Sequence, residues 1–174
     1  MSQDSTATPT QAQPVKTVAI VLGSKNDWPI VEPVIKQYTK DVVKIDVSVI
    51  SCHRNPLDIL KFVGECCRGC FDVVICAGGK ALALPGDVDA WIHAFGGKTP
   101  VIGVALGKSG TNEGLAALLS IQELPGQPVI MDDQDAYLGP DGLGLAIERI
   151  IANGLPAPKE RQEKPAERGI YRNF

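Results

Sequence analysis

Apolar residues recur along this chain in two rhythms, short continuous runs and helical stripes, that alternate from one end to the other. Residues 17–22 (T-V-A-I-V-L) are apolar without interruption, as a parallel strand covered on both faces requires. Residues 43–50 and 71–77 read as the second and third strands, residues 100–106 as the fourth, and residues 128–131 as a shorter fifth. The intervening segments carry helical spacing and helix punctuation. A helix over residues 28–39 has Asp27 at its cap position and Pro29 in its first turn, while Pro33 lies deeper and predicts a kink or a late start. The next spans residues 56–68, with Asn55 as cap and Pro56 in the first turn, and places Leu57, Leu60, Val63 and Cys67 on one face. Further helices include Trp91 and His93, run through Leu119, and cover residues 142–152. Strands and helices in this alternation predict an α/β protein built on a parallel, doubly wound sheet.

At 174 residues and 44% hydrophobic content, the chain can bury one core and is short for two. Residues 16–153 are read as a single domain, residues 1–15 as a polar, disordered leader, and residues 154–174 as a charged, proline-bearing tail. That tail is either solvated or an arm that packs Ile170, Tyr171 and Phe174 on a neighbouring subunit. A net charge of -3 offers no broad basic field for nucleic acid or an anionic membrane, so the basic residues serve a small site. The leader has neither an apolar secretion core nor an Arg-rich amphipathic pattern, and no apolar run approaches a membrane span. Five cysteines, an odd number, fit reduced thiols in a soluble, cytoplasmic protein. Cys67 and Cys70 match C-x-x-C, yet no second pair or nearby histidine completes a zinc set, and ordinary core cysteines are the plainer reading.

The chemistry concentrates in the loops that follow the strands. In an open parallel sheet these loops gather along one edge, and ligands bind where the strand order reverses. Ser51-Cys52-His53-Arg54-Asn55-Pro56 places an imidazole and a guanidinium just before a helix N-terminus, where unpaired N–H groups favour an anion. Arg54 presents a fork of donors matched to phosphate, and His53 is the side chain whose charge changes near neutral pH. The first loop adds Ser24, Asn26 and Asp27; the third adds the paired glycines Gly78 and Gly79, followed by Lys80. Ser24, Ser51 and Arg54 can donate to a phosphate, whereas ionised Asp27 only accepts and suits ribose hydroxyls. Asp27 can equally be a plain helix cap, and His53 a structural histidine at a strand end. His93, inside a helix, is read as structural. Asp132, Asp133 and Asp135 form a solvated acidic loop or, in principle, a magnesium site. Neither G-x-x-x-x-G-K-[ST] nor G-x-G-x-x-G occurs, which disfavours ATP and NAD.

Taken together, V-A-I-V-L-G-S-K-N-D-W-P, V-I-S-C-H-R-N-P, A-G-G-K-A-L-A-L-P-G, P-V-I-G-V-A-L and S-I-Q-E-L-P-G-Q-P-V resemble, in order, the motifs of one family. That family is the N5-carboxyaminoimidazole ribonucleotide mutases and aminoimidazole ribonucleotide carboxylases of purine biosynthesis, known as PurE. The resemblance covers roughly residues 18–152. It implies a three-layer flavodoxin-like subunit, an octamer, and carboxyl transfer on a small ribonucleotide through free CO₂, with no metal or organic cofactor. His53 matches the family's proton-shuttling histidine, and Ser24, Asp27, Ser51 and Arg54 match residues that hold phosphate and ribose. The chain departs from the pattern at Ala83, where the family has histidine, at Lys80, which lengthens the third loop, at Asn26, which replaces serine, and in the loop after the fourth strand. Lys80 either steers a carboxylate or faces solvent. Two other readings stand beside the mutase or carboxylase: a related carboxylase or decarboxylase of another ribonucleotide, and a non-catalytic nucleotide- or flavin-binding module on the same scaffold.

Overall fold

The computed structural model describes residues 14–108, 110–124, 129–130, 137–157 and 166. Five parallel strands form one sheet in the order β2-β1-β3-β4-β5. These are β1 (Lys16–Leu22), β2 (Val43–Val49), β3 (Val73–Gly78), β4 (Val101–Ala105) and β5 (Tyr137–Leu138). The helices are α1 (Trp28–Ile35), α2 (Pro56–Cys67), α3 (Leu84–Ala94), α4 (Asn112–Gln122) and α5 (Gly139–Asn153). The order 2-1-3-4-5 is the flavodoxin-like arrangement, with its reversal between β1 and β3.

Period-two alternation along the strands sorts the core into two layers. Val18, Ile20 and Leu22 of β1 pack with α1 and α5, through Val31, Val34, Leu143 and Ile147. Ala19 and Val21 face the other way, onto α2, α3 and α4, through Ile59, Val63, Val88, Ile92 and Ile121. Ile20, Leu22 and Ile75 are fully buried, each such side chain contributing roughly 1.5–3 kcal/mol of transfer free energy. Among the described residues no polar or charged residue is fully buried, so the reactive groups are left to the rim of the sheet.

Register decides which rim. Leu22 stands beside Val49 and Ala77, and Gly78 beside Ala105, so four strands finish level. The ladders run one residue further through Ile50 N–H to Leu22 O (3.0 Å), Gly23 N–H to Ala77 O (3.3 Å) and Leu106 N–H to Gly78 O (2.8 Å). The four loops that follow therefore leave from one edge.

Three local expectations are corrected. The buried stripe of α2 is Ile59, Phe62, Val63 and Cys66; Leu57 is 70% exposed, Leu60 half-buried and Cys67 exposed. Both stripes have helical spacing, and Phe62 decides between them by stacking on Phe71 with ring centroids 5.6 Å apart. The fifth strand pairs through Tyr137–Leu138, whereas Ile130 makes only an isolated bridge to Ile102; Pro128 and Met131 lie outside the described residues. Helix α1 ends at Ile35, four residues before the expected 39, with Pro33 inside it.

Candidate functional site

A cleft of about 820 Å³ opens at this rim, over the point where the strand order reverses. Ser24, Asn26 and Asp27 come to it from the loop after β1, Ser51, His53 and Arg54 from the loop after β2, and Gly78, Gly79 and Lys80 from the loop after β3. All nine residues that sequence reasoning nominated thus meet in one place.

Local hydrogen bonds shape each wall. Ser24 accepts from Asn26 N–H through its hydroxyl at 3.2 Å, closing a short 3-10 turn over Lys25–Asp27 that delivers Asp27 to the start of α1. Asp27 occupies the cap position of α1, yet its carboxyl makes no capping hydrogen bond. The acceptor oxygens are held at the cleft instead. Half-burial raises the Asp27 pKa above its usual 3.8, with a backbone hydrogen bond at Ser24 pulling it the other way.

The second loop folds on itself. Ser51 O accepts from Asn55 N–H at 2.7 Å, Asn55 Oδ1 accepts from Ser51 N–H at 3.3 Å, and Ser51 Oγ accepts from Arg54 N–H at 3.3 Å. Asn55 therefore does not cap α2 with its side chain, which is spent on bracing the loop. Arg54 Nη2 donates to Gly23 O at 2.9 Å, a link between the second loop and the first. His53 and Arg54 are both exposed.

In the third loop, Gly78 is buried at the end of β3, and a Cβ there would stand 2.9 Å from Leu82 Cδ1 and 3.6 Å from Asp27 Oδ2. A methyl group here would press on the end of the Leu82 side chain, which would have to shift. Gly79 borders open space instead. Lys80 adopts φ +54, and its ammonium pairs with Glu113 at 3.1 Å. Ala83 occupies the cap position of α3 without a capping side chain. Helices α1, α2 and α3 thus all begin at or beside this cleft with no side-chain cap hydrogen bond on their first turns, so their positive dipole ends favour an anion there.

Two lining residues with titratable side chains are missing from the nine. Cys52 is half-buried in the second loop, its thiol pKa pushed up by burial and then by Asp87; nothing in its sequence context marks it as a site residue. Glu113 opens α4, and the level strand ends were the signal that could have found it. The glycines after β4 do not reach the main cleft: Gly107, Gly110 and Gly114 border a smaller neighbouring pocket of about 230 Å³. His93, exposed in the last turn of α3, is not among the cleft residues. Among the described residues no cluster of His, Cys, Asp or Glu could hold a metal, and no helix is long and apolar enough to cross a membrane. Asp132, Asp133 and Asp135, and with them Ile170, Tyr171 and Phe174, lie outside the described residues.

Fold and cleft define a flavodoxin-like α/β protein with an anion-suited site at its switch point. One family model, described as AIR carboxylase, matches residues 17–163. Among named relatives, the N5-carboxyaminoimidazole ribonucleotide mutase of Pyrococcus abyssi is 34% identical over 155 residues, covering 86% of this chain and 82% of the relative. That of Haemophilus influenzae is 33% identical, covering 78% and 79%. The phosphoribosylaminoimidazole carboxylase of Candida glabrata is 34% identical over 64% of this chain, which spans only 19% of that longer protein. Among solved structures, Treponema denticola PurE superposes with a TM-score of 0.55 at 19% identity, over 79% of this chain and 80% of that one. The chain belongs to the AIR carboxylase family.

Proposed function

We propose that this protein moves a carboxyl group on aminoimidazole ribonucleotide, the chemistry that the names of its mutase and carboxylase relatives describe. The observation that carries the reading is the meeting, in one cleft, of a proton carrier, a phosphate fork and a hydroxyl acceptor on His53, Arg54 and Asp27. Arg54, Ser24 and Ser51 hold the phosphate, supported by the uncapped helix starts. Asp27 accepts from the ribose, and Asn26 lies beside it. The Gly78-Gly79 backbone takes the heterocycle end, with Lys80 placed to steer its carboxylate, and His53 works there as general acid and base.

In the mutase direction, the bond between the exocyclic nitrogen and the carboxyl carbon breaks, releasing CO₂ while that nitrogen gains a proton. The ring carbon then attacks CO₂, and the proton it carried leaves to His53. The cleft's part is proximity: CO₂ must stay beside the ring long enough to be captured, which requires excluding water. His53 and Arg54 are exposed in the single chain, so we infer that a neighbouring subunit covers them in a homo-oligomer, an octamer by resemblance. Exposed Trp91 on α3, Phe95 just after it, and Leu115 and Leu119 on α4 offer apolar area for such contacts. The reading places residues 16–153 as the catalytic unit, residues 154–174 as a tail or arm, and the enzyme in the cytoplasm, with no metal or organic cofactor.

A second reading keeps the scaffold and changes the ribonucleotide. Ala83 and Lys80 favour it, because both alter the heterocycle end of the cleft. Turnover assays with the aminoimidazole nucleotide plus bicarbonate, and separately with its N-carboxylated form, distinguish the two. Conversion of either supports the main reading; conversion of neither contradicts it.

A further inference from the structure

Lys80 is, among the described residues, the one non-glycine residue with positive φ, and it lies in the cleft wall. A lysine gains nothing from that conformation, so its side chain is held there at a cost. Between Gly78 and Leu84 it is also the only charged side chain. Its ammonium is 3.1 Å from the carboxylate of Glu113, which reaches the same cleft from the first turn of α4. The two side chains are 76% and 63% exposed, so water competes for the pair and it contributes little to stability. Such a pair is readily exchanged. Glu113 also keeps a favourable place without Lys80, since a carboxylate in the first turn of a helix faces the positive end of its dipole.

A carboxylated nucleotide entering this cleft meets both groups. Its carboxylate is attracted by Lys80 and repelled by Glu113, whereas the uncarboxylated nucleotide brings only its phosphate charge, which the proposed function seats on Arg54. Arg54 already has one guanidinium nitrogen on the Gly23 carbonyl. Lys80 is the cation of the third loop, three residues before Ala83, which stands where the family's pattern has histidine.

Building on the proposed function, we propose that Glu113 is the resting counterion of Lys80 and that the substrate carboxylate takes its place on the ammonium, so that this pair sets the cleft's preference between carboxylated and uncarboxylated ribonucleotide. Glu113 acts here as a positioning and specificity residue, touching Lys80 in the empty cleft and releasing it when the carboxylate arrives.

Calorimetric titration of the full chain with the ring-carboxylated nucleotide and with the uncarboxylated nucleotide tests this. Lys80→Asn removes the ammonium with a residue that accepts positive φ, and Glu113→Gln removes the competing charge without shortening the side chain. Lys80→Asn is expected to weaken the carboxylated nucleotide about tenfold, and Glu113→Gln to tighten it about threefold, with the uncarboxylated one moving by less than about twofold in each. Equal shifts for both ligands, or no shift for either, overturn the exchange while leaving the ribonucleotide reading intact. Failure of the unaltered protein to bind either nucleotide overturns that reading and the exchange with it.

Discussion

Arg54 Nη2 donates to the carbonyl of Gly23 at 2.9 Å, and this bond ties the loop after β2 to the loop after β1 on one side of the sheet's switch point. One nitrogen is spent on the scaffold, and the remaining donors of the fork are available to a phosphate. Lysine, a point charge without a fork, cannot serve both partners. Arg54→Lys should therefore weaken nucleotide binding about tenfold or more, while stability changes by less than about 0.5 kcal/mol at this exposed position. Calorimetry and thermal unfolding read the two separately; unchanged affinity contradicts the assignment.

His53→Asn removes the proton carrier while leaving a polar side chain of comparable reach. Turnover should fall by roughly 10²–10⁴-fold, with the dissociation constant of the nucleotide within about threefold of the parent. A variant that turns over at the parent's rate removes His53 from the chemistry.

Asp27→Asn separates binding from stability. Burial raises the Asp27 pKa above its usual 3.8, so folding disfavours the ionised form. The stability associated with the protonated carboxyl is full below pH 3.8 and is lost as pH rises through the raised value. At pH 7 the asparagine variant should accordingly melt at or above the parent's temperature, an advantage that shrinks as the pH falls through the raised value and is gone below 3.8. Its nucleotide affinity should drop because the ribose loses an ionised acceptor. A lower melting temperature at pH 7 together with unchanged affinity would show that Asp27 is only a structural residue.

Gly79→Ala introduces a methyl group where nothing of the chain lies within 4 Å and where φ is not positive. Stability should hold or rise by up to about 1 kcal/mol, since alanine has less freedom to lose on folding. Nucleotide affinity should fall, because the ligand approaches this backbone. If binding survives intact, the third loop is not a ligand wall.

The thiols divide by environment. Burial pushes Cys66 up to about 12 and holds Cys76 well above the ordinary range, while Cys67 and Cys70 are exposed. In the native protein near pH 8 a thiol reagent should label Cys67 and Cys70 first, with Cys66 and Cys76 reacting only on unfolding. Early labelling of Cys76 would contradict the packing of β3.

Much of this was legible in the chain because the strands read as apolar runs and the loops after them carry the polar groups. Level strand ends then follow from parallel pairing, which is why Ser24, His53, Arg54 and Gly79 could be placed together before any coordinates. Choices between equivalent local patterns were not legible. Helix α2 carries two apolar stripes, and contact with Phe71 rather than spacing selects Phe62 and Cys66 over Leu57 and Cys67. Asn55 had two possible partners, the first turn of α2 or the Ser51 N–H, and the tight turn of the second loop selects the latter. The residues 128–131 look like a strand by composition, yet Tyr137–Leu138 makes the pairing with β4. The Lys80–Glu113 contact joins the third loop to the first turn of α4, and no local pattern announces it.

The central claim is that one imidazole meets the nucleotide's ring while a guanidinium grips its phosphate. A crystal structure of the protein with aminoimidazole ribonucleotide bound tests this most directly. The account predicts the phosphate on Arg54, Ser24 and Ser51, the ribose hydroxyls on Asp27, and the reacting ring carbon within hydrogen-bonding reach of the His53 imidazole. A nucleotide seated elsewhere, or bound in this cleft with its ring turned away from His53, contradicts it.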